Sequence, residues 1–187
     1  MTFEMILGIL LASIFTENIA LIECLGTGAV LENERSSRRS LTLGFGTTLV
    51  MLIATLITWP LNTYVLTKAP YLQTMVFVFV FLLIDEAMHM VARRILDNYC
   101  KSHFVKFAIN GAVLGICIHN TALGFGEALV TAACVGIGFM LTMTVYAKLK
   151  DIPVDEDAIP APFRGLPIAL LTAGMMALAM IALTFSI

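Results

Sequence analysis

Charge is what this chain has least of. Only 13% of its 187 residues are Asp, Glu, Lys or Arg, where a soluble domain carries about a quarter. No dense basic cluster offers the electrostatic footprint of a nucleic-acid surface, so no nucleic-acid partner is expected. No basic segment precedes the first apolar run; Glu4 stands there instead, so that run is expected to be kept as a span and not removed as a signal peptide. Cysteine is sparse as well. Cys24, Cys100, Cys117 and Cys134 show no CxxC or other metal-ligand spacing, and at least three lie in apolar stretches. That spacing argues against a zinc site and against a disulfide framework.

What the chain does have is long apolar runs, with 59% of all residues hydrophobic. They are too long and too many for a soluble core, which makes the chain an all-α polytopic membrane protein. Six spans can be drawn, at roughly 4–31, 41–66, 71–93, 96–119, 121–147 and 165–187. At ~1.5 Å per residue the first would be about 40 Å long against a hydrocarbon core of ~30 Å. Gly26-Thr27-Gly28 is therefore the predicted break in helix one. Helix four has a polar start at 100–106, and its apolar part opens at Asn110-Gly111, so it too is predicted to be broken.

Two sequence words occur twice and in the same order. Gly28-Ala29-Val30-Leu31 returns as Gly111-Ala112-Val113-Leu114, and Leu43-Gly44-Phe45-Gly46 returns as Leu123-Gly124-Phe125-Gly126. The second word is followed in both copies by Leu-Val, at 49–50 and at 129–130. The nearly constant offset marks an internal duplication: repeat one at about 1–94 and repeat two at about 95–187, within a single membrane domain 1–187. Each repeat holds three spans, an odd number, so the second copy enters the membrane from the opposite side. This predicts two inverted-topology three-helix repeats, with broken helices one and four meeting near the midplane.

The basic residues give the orientation. Ten of the eleven fall near the odd-numbered connections, and only Lys68 lies on the other side. Odd loops are then cytoplasmic, and both termini of this multi-pass cell-membrane protein lie outside. The long polar connection 148–167, with its acids and prolines, reads as a solvated loop or a contact surface for a neighbouring protein.

A few polar residues sit where the membrane makes them costly. Glu17 and Asn18 lie within span one, with Asn110 or His119 as candidate neighbours across the pseudo-axis. An ion or proton site and a helix-to-helix hydrogen bond both fit them. Asp85 and His89 are four residues apart on one face of span three, next to Glu86. They read as a proton or ion site or as an interfacial cap beside Arg93 and Arg94. Glu23 and Lys106 each stand five residues before a copy of the first word, so the duplication aligns opposite charges that a buried pair would join. Glu17, Asn18, Glu23, Gly28, Lys106, Asn110 and Gly111 together form the predicted pseudo-axis site. Cys24 and Cys117 lie in the two repeat-bearing helices but are not symmetry mates, so metal ligation by them is not expected.

Residues 13–21 (SIFTENIAL), Leu25-Gly26, Asn110 with 112–115, Glu86 and above all 160–183 (PAPFRGLPIALLTAGMMALAMIAL) carry a resemblance over nearly the whole chain. The chain resembles the Rnf/Nqr membrane-subunit family, in particular the A-type subunits of Rnf and the E-type subunits of Nqr. The resemblance implies a non-catalytic membrane subunit of a redox-driven, ion-translocating ferredoxin:NAD or NADH:quinone oxidoreductase. It also implies pairing with a paralogous subunit of opposite orientation, and an intramembrane [2Fe–2S] cluster held by two cysteines from each partner. Gly28 and Gly111 stand at the family's cysteine positions here, and glycine offers no thiolate. No cofactor of its own is therefore expected; the alternative is a [2Fe–2S] cluster shared with a partner subunit. A second function stays open on the same residues: a cluster-less homodimeric transporter of an ion or small solute.

Overall fold

A computed structural model describes residues 3–16, 18, 37–95, 111–150, 152 and 160–186. Every regular element among them is helical. In chain order these are α1 (Phe3–Leu11), which runs into a π-helical turn (Ala12–Thr16), α2 (Ser37–Tyr64), α3 (Gln73–Ile95), α4 (Gly111–His119), α5 (Phe125–Lys150) and α6 (Leu166–Ser186). Short 3₁₀ turns at Leu66–Lys68 and Pro70–Leu72 join α2 to α3, and another at Asn120–Ala122 follows α4. Two helices are long and apolar enough to cross a membrane: the part of α2 at Leu43–Tyr64, and α5. Shorter apolar helical stretches occur at Glu4–Ile14, Pro70–Ile84, Gly111–Ala122 and Leu166–Ala182.

The fold is built on α2 against α5. A methyl group in place of the Gly44 hydrogen would stand 2.7 Å from the Met140 Cα, and one on Gly136 would stand 2.9 Å from the Thr48 Cβ. Moving four residues up α2 moves the contact four residues down α5, so the two helices are antiparallel. They touch backbone to backbone because small residues occupy the crossing, the usual means of holding helices together where lipid removes the hydrophobic drive. Val50, Met51, Ala54, Ala132, Val135, Phe139 and Met143 fill the seam and are buried. Dispersion between these close-packed atoms is the stabilising term.

The remaining helices lean on this pair. Phe77, Val80, Phe81 and Ile84 of α3 and Ala112, Val113, Ile116 and Cys117 of α4 join the same buried cluster. From α6, Met176 is buried in it, with Ala173, Ala177 and Met180 packed alongside. The Tyr146 hydroxyl donates to the Ala169 carbonyl at 3.1 Å, tying α5 to α6. Gly165, at φ 85°, makes the left-handed turn that starts α6, a conformation that side chains with a Cβ adopt at a cost. Pro167 then sits in the first helical turn, where a missing N–H costs nothing.

The first helix departs from α geometry earlier than its predicted break. The π turn begins at Ala12, whereas Gly26-Thr27-Gly28 lies outside the described residues. The Ser13 hydroxyl donates to the Ile9 carbonyl at 2.7 Å, a back-bond of the kind that loosens the i→i−4 ladder. A methyl group on Gly138 would lie 2.7 Å from the Ser13 carbonyl oxygen. The widened turn therefore presses its backbone onto α5 at a residue that has no side chain. The residues before Gly111, where helix four is predicted to be broken, lie outside the described residues, and from Gly111 to His119 the chain is helical.

Candidate functional site

Two buried asparagines, each placed just after a short apolar helix, organise the polar interior. Asn18 follows the π turn and is 1% exposed. Its amide nitrogen donates to the Thr142 hydroxyl of α5 at 2.7 Å and to the Ile14 carbonyl at 3.1 Å. Thr142 is buried as well. A short hydrogen bond between buried neutral groups is what an apolar surround favours, since neither partner has water to exchange for.

Asn120 follows α4 and is 2% exposed. Its amide nitrogen reaches the Ala128 carbonyl in the first turns of α5 at 3.1 Å and the Thr55 hydroxyl of α2 at 3.4 Å. Thr55 Oγ1 lies 4.0 Å from the Cys117 thiol, and Cys117 is also within hydrogen-bonding reach of Thr58. Thr58 itself donates to the Ala54 carbonyl at 2.7 Å. Threonines three residues apart share one face of α2, and that face meets α4 and the start of α5. The turn leading into α5 is fastened from outside this cluster: Trp59 Nε1 donates to the Leu123 carbonyl at 2.9 Å, and its ring stands 5.1 Å from that of Phe125. Ala128 and Thr142 are fourteen residues apart on α5, so the two asparagine clusters are separated by about 21 Å at 1.5 Å rise per residue.

Only part of the predicted pseudo-axis site lies among the described residues. Asn18 and Gly111 do; Glu17, Glu23, Gly28, Lys106 and Asn110 lie outside them, as does Cys24, which was not part of that site. Asn18 meets Thr142 and not His119, which is exposed at the last turn of α4. Of the second group, Asp85, Glu86 and His89 are all helical positions of α3, and Glu86 is exposed. Thr55, Thr58, Thr142 and Asn120 were not singled out by the sequence. The signal was a hydroxyl or amide inside an otherwise apolar run, and it is weak because threonine often satisfies its own helix.

An iron–sulfur cluster can be tested at Gly111. That residue is exposed at the first position of α4 and presents no ligand atom. Cys117 lies six residues further, about 9 Å along the helix and about 240° around it, buried against α2. A thiol there cannot reach the place a side chain at 111 would occupy, so this helix does not fit the cluster. Among the described residues no three His, Cys, Asp or Glu side chains converge.

Comparison with known proteins now places the chain. The family model described as "Rnf-Nqr subunit, membrane protein" matches residues 6–187, and the chain belongs to that family. It is 31% identical over 179 residues to the A-type subunit of the ion-translocating oxidoreductase complex of Serratia proteamaculans, covering 92% of each chain. The protein of the same description from an Escherichia coli strain (O1:K1 / APEC) is 30% identical over 174 residues, 89% of this chain and 90% of that one. The one from Sodalis glossinidius is 28% identical over 185 residues, 95% of each.

Proposed function

We propose that this chain is a non-catalytic membrane subunit of an ion-translocating oxidoreductase complex of Rnf/Nqr type. The observation that carries the reading is the length of the match: similarity to the named subunits spans 92% of both chains, so it takes in the whole helical body and not one motif within it. In this reading the chain crosses the cell membrane six times as two inverted repeats, with both termini outside, beside a paralogous partner subunit. The antiparallel contact of α2 and α5 supports that topology. These helices carry the two Leu-Gly-Phe-Gly copies, and spans two and five of an inverted pair must run in opposite directions.

The chain's own role is then to hold helices and partners in place and to line an ion path, and not to carry electrons on a cluster of its own. Gly28 and Gly111 supply no thiolates, so any cluster at this interface takes its sulfur ligands from the partner or from elsewhere in the complex. Gly111 also favours the second reading, a cluster-less homodimer moving an ion or small solute. Gentle purification of the protein from its native membrane separates the two. Flavin-bearing and other membrane subunits are expected to co-purify in fixed stoichiometry. A particle containing this polypeptide alone would overturn the complex and leave the homodimer.

A further inference from the structure

The corner between α2 and α3 shows side chains that suit neither plain water nor plain hydrocarbon. Tyr64 and Tyr71 are 79% and 83% exposed, and Val65 and Met75 are exposed beside them. From Trp59 to Met75 the only charged residue is Lys68. Leu66 is buried in the core cluster and pegs the turn, so the rings around it are held outward. The turn also satisfies its own backbone: the Val65, Ala69 and Leu72 N–H groups donate to the carbonyls of Leu61, Leu66 and Ala69 at 3.0–3.1 Å. A segment that asks little of water and displays phenol rings fits a layer that is apolar on one side and wet on the other.

We propose that this corner, with Trp59 at its base, is seated in the phospholipid headgroup layer of the membrane's outer leaflet. The Trp59 ring beside Phe125 and the indole N–H on the Leu123 carbonyl put the start of α5 level with it. Three helices then give the same interval from this level to a basic residue. On α2, Arg39 stands twenty residues before Trp59, and on α3, Arg93 stands twenty after Gln73. On α5, Lys148 stands twenty-one after Glu127. Each interval is about 30 Å at ~1.5 Å per residue, the thickness of a bilayer's hydrocarbon core. Basic residues at the far end suit the cytoplasmic surface, where positive charge collects. Tyr64, five residues beyond Trp59, stands about 7 Å further out, within the headgroup layer.

Trp59 is the only tryptophan of the chain, so its own fluorescence reads depth. With the full chain in phosphatidylcholine vesicles, lipids brominated near the carbonyl end of the acyl chain should quench it at least twofold more than lipids brominated near the methyl end. Tyr71→Trp, made together with Trp59→Phe, should be quenched at least twofold more by a nitroxide on the headgroup than by either brominated lipid. Strongest quenching of Trp59 near the methyl end would overturn the proposal. So would a Tyr71→Trp ring that no lipid quenches, which would give the corner to water or to a partner protein. Depth is independent of the topology proposed above, whereas the choice of leaflet rests on it and has its own readout. A membrane-impermeant maleimide should reach Tyr64→Cys, in a cysteine-free background, only from outside. Labelling from the cytoplasmic side with the quenching unchanged would overturn that topology and the outer leaflet, but not the headgroup seating.

Discussion

The tetrapeptide Leu-Gly-Phe-Gly occurs at 43–46, well inside α2, and again at 123–126, across the turn that starts α5. In the first copy both glycines are buried and Phe45 is 63% exposed. In the second, both glycines are exposed, and Phe125 lies against Trp59. Gly44 lets another helix come within van der Waals contact of its backbone, whereas a side-chain carbon added at Gly124 or Gly126 would meet nothing within 4 Å. One word therefore serves as a helix crossing and as a helix start. What separates the two uses is place in the helix: at least seven helical residues of α2 precede Gly44, whereas Gly124 follows the 3₁₀ turn at Asn120–Ala122 and stands just before the first residue of α5.

The sharpest way to break this comparison is to add a methyl group in the crowded copy. Gly44→Ala places a carbon 2.7 Å from the Met140 Cα, and a backbone atom cannot rotate aside. Overpacking of this kind costs about 1–3 kcal/mol, and this position should lie in the upper part of that range. The expected outcome is a clear fall in the thermal unfolding midpoint in detergent. An unchanged midpoint would mean that α2 and α5 are not in contact at this register.

A smaller effect is expected where α5 meets the segment after the π turn. Asn18→Leu and Thr142→Val each remove one side of a buried hydrogen bond 124 residues apart in sequence. Hydrogen bonds between membrane helices contribute about 0.6 kcal/mol on average and up to about 1.7. A double-mutant cycle on unfolding free energy should give a coupling of about 1 kcal/mol, since the pair is short and both partners are buried. Additivity within error would show that Asn18 is held by its own turn and not by α5.

These two sites also mark what could be read in advance and what could not. Helices α2, α3, α5 and α6 were legible, and the ends that fall inside the described residues lie within about four residues of the drawn spans, because an apolar run bounded by polar residues states its own length. Asn120 was not. It fell on the junction drawn between spans four and five, where a polar residue is unremarkable, yet it is 2% exposed. Its partners lie on other helices, and so does the Thr142 partner of Asn18; hydropathy records how apolar a run is, not what it will face. The π turn at Ala12–Thr16 was hidden too, since Gly138, the glycine that admits its backbone, sits more than a hundred residues away.

The smallest effect should come from the roomy copy, and it decides whether the comparison is about space. Gly124→Ala adds the same methyl group as Gly44→Ala but meets open space, and the Gly124 φ lies outside the left-handed region that would penalise a side chain. Its carbonyl accepts from the Ala128 N–H at 2.8 Å, a bond that an alanine keeps. The folded state therefore loses nothing, while the unfolded chain loses some of glycine's freedom, which stabilises by about 0.4–1 kcal/mol where the native conformation is compatible. The expected outcome is an unfolding midpoint equal to or slightly above that of the unaltered protein, in the same detergent used for Gly44→Ala. If the two substitutions cost the same, the loss belongs to glycine's flexibility or to membrane insertion and not to close approach. If Gly124→Ala is neutral while Gly44→Ala is not, the repeated word has been given its two meanings by packing alone.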